Sequence, residues 1–231
     1  MFYTKLHTLK GLSNMQQLEF LAQRRHLVEM ARQSYQEGLF AGTSGNLSTY
    51  DPETGIMTIT PTSVSYHTMT EEDAVCLTLD GNIVWGSYRP SSEWQMHAYM
   101  YENMPDIRAV VHTHSPYATS FAVNHEMIPV ILIEMVPFLG GAVPVSQFAI
   151  PGTVEMGVEA LKAIEDVANG CLLANHGVLT VGRTLNEAYI RAVYVEDAAK
   201  IYSLAKSNGP VHTIEEQYIQ AMKNRMQQRK G

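Results

Sequence analysis

Two turn-bounded runs of alternating residues in the first half of the chain constrain its fold more than any other feature. In "NLSTYDPETGIMTITPT" the segment "DPETG" is a turn, so residues 46–60 read as a β-hairpin. "AVCLTL-DGN-IVWG" follows closely as a second hairpin, with Asp80-Gly81 as its turn signal. Hairpins pair antiparallel, and two in succession do not fit the strict β-α-β alternation of a doubly wound parallel sheet. The expectation is an α/β protein with a mixed, largely antiparallel central sheet covered by helices.

The helices are marked by period and by caps. Leu18, Leu21, Ala22, Met30, Ala31 and Ser34 recur at helical spacing over 15–37, and Gly38 ends that run. Ser92 with Gln95 predicts a capping box opening a helix in "RPSSEWQMHAYMYENMP". Pro116 at a first helical position predicts a helix from Ser115, and another is expected from Thr153 to about Ala168. Thr184 with Glu187, and Thr213 with Glu216, predict capping boxes for the last two helices. "IPVILIEMV" (128–136) and "CLLANHGVLTVG" (171–182) read as buried strands. Neither a repeat nor a linker interrupts the 231 residues, so one domain is expected, with about 1–14 as an extension and 210–231 carrying a C-terminal helix.

Composition removes several functional classes. A net charge of −7 is wrong for a surface that tracks phosphates, and the basic run "KNRMQQRK" (223–230) is explained by a solvated helix end. Nucleic acid is therefore not an expected partner. Cys76 and Cys171 sit in apolar runs, as buried free thiols do in a reducing compartment. The N-terminus has no signal-like apolar region and no stretch is apolar enough to span a membrane, so a cytoplasmic location is expected.

Chemistry concentrates in short polar segments at element ends. His112 and His114 in "RAVVHTHSP" alternate, so in a strand they share one face. His176 lies at the Gly-marked bend of "ANHGVL", and Glu93 starts the helix after "PSS". Three imidazoles and a carboxylate suit a borderline divalent ion such as zinc, with manganese or cobalt as alternatives. "GTSGN" (42–46), "TPTS" (60–63) and the serines of 91–92 offer hydroxyls, backbone N–H groups and a helix start, the parts of a neutral phosphate cradle. "GTSGN" lacks the G-K-[ST] ending of a nucleotide-binding P-loop. Lys162, Lys200 and Lys206 sit among polar neighbours on long amphipathic helices, which disfavours a lysine Schiff base.

In their order and spacing, "GTSGNLS", "TPTS", "PSSEWQMH", "VVHTHSP" and "ANHG" resemble the class II aldolase/adducin family, and most closely its fuculose-phosphate aldolase branch. The resemblance covers about residues 15 to 205. It implies an α/β/α fold and a four-fold homotetramer with active sites between subunits. It also implies a metal-dependent lyase that cleaves a ketose 1-phosphate, such as fuculose 1-phosphate or 5-deoxyribulose 1-phosphate, to dihydroxyacetone phosphate and an aldehyde. On matching positions, His112, His114 and His176 would bind one divalent ion per subunit. Glu93 would be the acid/base that also meets the metal at rest, and Gly45, Asn46, Thr62, Ser63, Ser91 and Ser92 would hold the phosphate.

The chain departs from the family pattern at Ser63, where glycine is usual. It departs again at Glu134 in "IEMVPFLGG", in place of a tyrosine, and it has no tyrosine after Tyr218. Glu134 is thus the candidate on the aldehyde side, and Val136, Phe138 and Leu139 predict an apolar pocket for an aldehyde ending in methyl. Among relatives of other activity, the 4-epimerases usually carry aspartate where Glu93 stands, whereas a methylthioribulose-phosphate dehydratase keeps glutamate. Adducin-like binding proteins lack the full histidine set present here.

Overall fold

The computed structural model describes residues 14–164 and 168–228, with side chains from Phe20 onward. The extension before Asn14, the side chain of Leu18 and the last three residues lie outside this description.

Both hairpins form at their turn signals. Strands β1 (Asn46–Asp51) and β2 (Ile56–Ile59) pair antiparallel, as do β3 (Val75–Thr78) and β4 (Ile83–Trp85). With β5 (Ala109–Thr113), β6 (Gly170–Leu173) and β7 (Gly177–Gly182) they build a seven-stranded sheet in the order β4-β3-β2-β1-β5-β7-β6. Every neighbouring pair of these strands runs antiparallel.

Alternation along the strands divides the core between two faces. Met57, Ile59, Leu77, Val110 and Leu179 meet Met96 and Met100 of α2 (Trp94–Asn103) and Met156 and Ala160 of α5 (Val154–Ile164). Leu47, Ala109 and Val111 face the other way, onto Leu27 and Ala31 of α1 (Asn14–Gln36) and Ala188 and Ala192 of α6 (Leu185–Asn208). A third apolar cluster joins α6 to α3 (Pro116–Asn124), α4 (Met135–Leu139) and α7 (Glu216–Gln228). The expected helix-covered, largely antiparallel sheet is what the chain adopts. No helix among the described residues is long and apolar enough to cross a membrane.

Four local expectations are corrected. "IPVILIEMV" is not a strand: Ile128 makes one isolated bridge to Val143, and the chain then turns into α4. The run is apolar because it packs among helices, and Pro129 lacks the N–H that a ladder would need. "CLLANHGVLTVG" is two strands, with Asn175 at φ 55° in the intervening turn. α2 begins after Glu93 without a side-chain cap, so the Ser92–Gln95 box does not form. Instead the Trp94 amide donates to the Ser91 carbonyl, and the Glu93 amide lies 3.3 Å from Ser91 Oγ. α7 starts at Glu216, three residues beyond Thr213, because the Ile214 amide is tied to the Val130 carbonyl. By contrast the box at Thr184 forms, its side chain accepting from the Glu187 amide at 3.1 Å. α5 is described as far as Ile164, and residues 165–167, into which it was expected to continue, lie outside the description.

Candidate metal centre

Adjacent strands bring the first polar groups together. Asn46 of β1 sits opposite His112 of β5, and His112 sits opposite Leu179 of β7. His112 lies on the sheet face covered by α2, whose N-terminus delivers Glu93. His114 follows the end of β5, and His176 lies in the β6–β7 turn. Gly177 permits this approach: a Cβ there would stand 2.3 Å from the Thr113 carbonyl oxygen and 3.2 Å from His112 Cε1.

The three histidines offer ring nitrogens that all lie within 4.8 Å of one another. His112 Nδ1 lies 2.8 Å from the Val178 carbonyl, which can only accept, so that nitrogen carries the proton. Neutral His112 then aims its Nε2 lone pair at Glu93 Oε2, 3.2 Å away, and at His114 Nε2, 2.9 Å away. Glu93 Oε1 lies 3.2 Å from His176 Nε2. Lone pairs and a carboxylate converging in this way repel one another unless a cation lies among them. The donor set therefore fits a divalent ion, with the carbonyl behind His112 orienting its ring as metal-binding imidazoles require. His176 Nδ1 is buried and has no such partner among the described residues.

Electrostatics lower the proton affinity of Glu93, His112 and His114 alike, as groups gathered for a cation require. Burial pushes the Glu93 carboxyl up, but His112, His176 and the Asn46 amide together outweigh it and hold the group well below the usual carboxylate range. Burial, together with His112 and His176, pulls His114 down to about 3. Burial also lowers His112, against the opposing pull of Glu93.

The three Gly/Ser/Thr stretches lie side by side. The Thr60 amide donates to the Leu47 carbonyl, the Ser91 amide to the Thr60 carbonyl, and the Thr62 amide to the Arg89 carbonyl. Gly45 is held at φ 78° with its carbonyl accepting from Tyr66 Oη at 2.6 Å. A Cβ on Gly45 would collide with the Phe40 ring. Ser63 has φ 59°, a left-handed backbone that explains why glycine suits that position. Ser63 and Ser92 are exposed, Thr62 is half-buried, and Ser91 is buried.

Glu134 stands apart from these contacts. It lines a cleft with Ile133, Pro137, Met222, Arg225 and Met226, between α4 and α7. Val136 and Leu139 are buried in the cluster beneath it, and Phe138 stacks on Tyr194 at 4.2 Å between ring centres. Within one subunit Val136 and Leu139 are buried and Phe138 is half-buried, so all three contribute to packing between α4 and α6.

Sequence reading gave no role to His97, which lies one helical turn after Glu93 and is fully buried. Its Nδ1 meets Ser48 Oγ at 2.6 Å and its Nε2 meets Asn46 Oδ1 at 2.5 Å, while Asn46 Nδ2 donates to Glu93 Oε2 at 2.8 Å. Ser48 Oγ also lies 2.6 Å from Tyr101 Oη. Burial, with His112 nearby, pulls His97 down to about 3. The i, i+4 spacing of Glu93 and His97 was the available signal, since it puts both on one helix face.

Comparison with known proteins agrees with this geometry. Residues 25–203 match the family model described as "Class II Aldolase and Adducin N-terminal domain". The chain is 34% identical over 187 residues to 5-deoxy-D-ribulose 1-phosphate aldolase of Bacillus thuringiensis serovar kurstaki, covering 81% of this chain and 87% of the relative. It is 32% identical over 192 residues to the L-ribulose-5-phosphate 4-epimerase UlaF of Salmonella paratyphi C, covering 79% and 84%. A solved structure titled L-fuculose 1-phosphate aldolase superposes with a TM-score of 0.84 at 35% identity, covering 89% of this chain and 96% of that one. The chain belongs to the class II aldolase and adducin family.

Proposed function

We propose that this protein is a metal-dependent aldolase that reversibly cleaves a ketose 1-phosphate to dihydroxyacetone phosphate and an aldehyde. The observation that carries the reading is Glu93, a buried carboxylate facing His112 and His176 next to three joined hydroxyl- and amide-bearing segments. His112, His114 and His176 would hold the ion with Glu93 as a fourth ligand at rest. Zinc suits three imidazoles and one carboxylate best, with manganese or cobalt as substitutes. When bound, such an ion supplies Lewis-acid stabilisation of the negative charge that develops on the carbonyl side of the breaking bond.

The chain's own groups account for binding and proton transfer. Gly45, Asn46, Thr62, Ser63, Ser91 and Ser92 receive the phosphate, without a lysine or arginine among them. In the aldol direction Glu93 removes a proton from the hydroxymethyl carbon of the ketone phosphate. In cleavage the C4 hydroxyl proton passes to Glu93 as that oxygen becomes the aldehyde and the C3–C4 electrons pass to the enediolate. Glu93 then delivers the proton to the same hydroxymethyl carbon. A glutamate sheltered from water and in reach of the reacting carbon is suited to this work. An aldehyde with a terminal methyl, as released from a 5-deoxypentulose phosphate, is the proposed second product on the strength of the similarity to 5-deoxy-D-ribulose 1-phosphate aldolase. Glu134 is the candidate contact on that side.

Active sites completed between subunits of a homotetramer fit the exposed apolar residues Ile133, Phe148 and Ile150. A partner surface could also supply the acceptor that His176 Nδ1 lacks.

The deciding experiment is incubation of metal-loaded protein with matched deoxy and hydroxylated ketose 1-phosphates. Release of dihydroxyacetone phosphate supports the aldolase. Loss of water without carbon–carbon cleavage would make it a dehydratase, and a new sugar phosphate of inverted configuration would make it an epimerase.

A further inference from the structure

Tyr101, Ser48, His97 and Asn46 form a buried polar chain that ends on Glu93 and that the proton transfer above does not use. Each hydrogen bond in it has one available direction. Asn46 Nδ2 donates to Glu93 Oε2 at 2.8 Å, since a carboxylate offers acceptors on that side. Asn46 Oδ1 then faces His97 Nε2 at 2.5 Å, and Nε2 must carry the imidazole proton. Neutral His97 is left with a bare Nδ1, which accepts from the Ser48 hydroxyl at 2.6 Å. Ser48 in turn accepts from Tyr101 Oη at 2.6 Å. All four residues are buried, with Ser48 and His97 fully enclosed, so water does not compete for these groups.

We infer that His97 is a positioning residue for Glu93, acting through Asn46, whose amide it holds with the N–H₂ end turned to the carboxylate. A carboxamide is nearly symmetric in shape, and only its neighbours distinguish the two ends. Turned over, Asn46 would set its oxygen against the Glu93 carboxylate and its N–H₂ against the Nε2–H of His97, two repulsions at once. The tautomer of His97, fixed by Ser48 and Tyr101, thereby fixes the donor that meets the proton-transferring group. Asn46 keeps that donor aimed into the site when Glu93 moves to its substrate. This inference rests on the role proposed above for Glu93.

A double-mutant cycle with His97→Leu and Asn46→Ala tests it, with metal content and unfolding midpoint measured for each protein. His97→Leu should lower kcat about 10–100-fold, the usual range for groups that orient a site's ligands. His97→Gln should recover most of that loss, because a glutamine Nε2–H₂ reaches about the place of the ring Nε2–H. In the Asn46→Ala background the same His97→Leu change should cost less than about twofold. An equal loss in both backgrounds, in folded and metal-loaded protein, overturns the inference, as does a folded His97→Gln protein no more active than His97→Leu.

Should His97→Leu fail to fold, nitrogen NMR of the unsubstituted protein decides. A neutral His97 protonated at Nε2 supports the inference, and one protonated at Nδ1 overturns it. That spectrum does not depend on the reaction. Near-normal turnover in metal-loaded Glu93→Gln would end the assignment of Glu93 while leaving the His97 tautomer as it is.

Discussion

Glu93 is a carboxylate kept ionised in a place where burial alone would protonate it. The Asn46 amide donates to that charge and the cation that the histidines would hold lies beside it, so loss of the carboxylate should remove proton transfer far more than metal binding. Glu93→Gln should lower turnover by roughly 10²–10⁴, with the three histidines still retaining the ion. Measuring kcat and bound metal on the same sample checks this, and near-normal turnover would point to another proton carrier. Gly177 acts at the same scale by having no side chain. Gly177→Ala would force a methyl against the Thr113 carbonyl oxygen and the His112 ring, moving β7 away from β5. The expected outcome is about 1–3 kcal/mol of lost stability and metal affinity weaker by about 10-fold or more. Denaturant unfolding of the metal-free protein and a metal titration would show it. An alanine protein with unchanged metal affinity would mean that the turn relaxes freely.

At the scale of elements, the site sits where strands end and helices begin, while the opposite ends of those strands serve stability. α6 shows the division. It starts just after Gly182, the end of β7 farthest from Gly177, and Thr184 caps it. Thr184→Ala should cost about 1 kcal/mol of unfolding free energy and leave kcat of the folded enzyme unchanged. A shift in kcat without a shift in unfolding midpoint would reverse that assignment. α3 is anchored differently, since its first amides, Tyr117 and Ala118, donate to the Glu196 carboxylate of α6 at 3.0 and 2.8 Å. That cross-helix cap fixes the chain just after His114, where Ser115 makes no side-chain cap of its own.

For the whole molecule, buried histidines make stability depend on pH. His97 is enclosed, and burial brings its folded pKa down to about 3 from the ordinary imidazole value of about 6.5. Between those values the unfolded chain binds a proton that the native protein refuses, so stability is full above the unfolded value and is lost as pH falls. The slope from this one group is about 1.4 kcal/mol per pH unit within that window. The unfolding free energy of metal-free protein should therefore fall from pH 6.5 towards pH 4, and less steeply in folded His97→Gln. Equal slopes for the two proteins would show that His97 takes up a proton without unfolding.

The sequence by itself determined the elements whose signals are local. Asp80-Gly81 specified a turn, Thr184 and Glu187 specified a helix start, and the alternation of His112 with His114 placed two rings on one side of a strand. Order and spacing of five short segments were enough for the family, because each joins a chemically committed residue to a turn that presents it. Packing decided the rest. "IPVILIEMV" has the composition of a strand, but only the helices closing over it determined that it would be a buried loop and one short helix. Val136 and Leu139 were legible as apolar, yet whether an apolar side chain lines a pocket or fills a core depends on what stands opposite. His97 carries no local mark of its task. Its meaning arises from Asn46 and Ser48, some fifty residues earlier, which pairing of β1 with β5 brings beneath α2. Hydrogen-bond direction is a property of that assembled network, and only the tertiary structure supplies it.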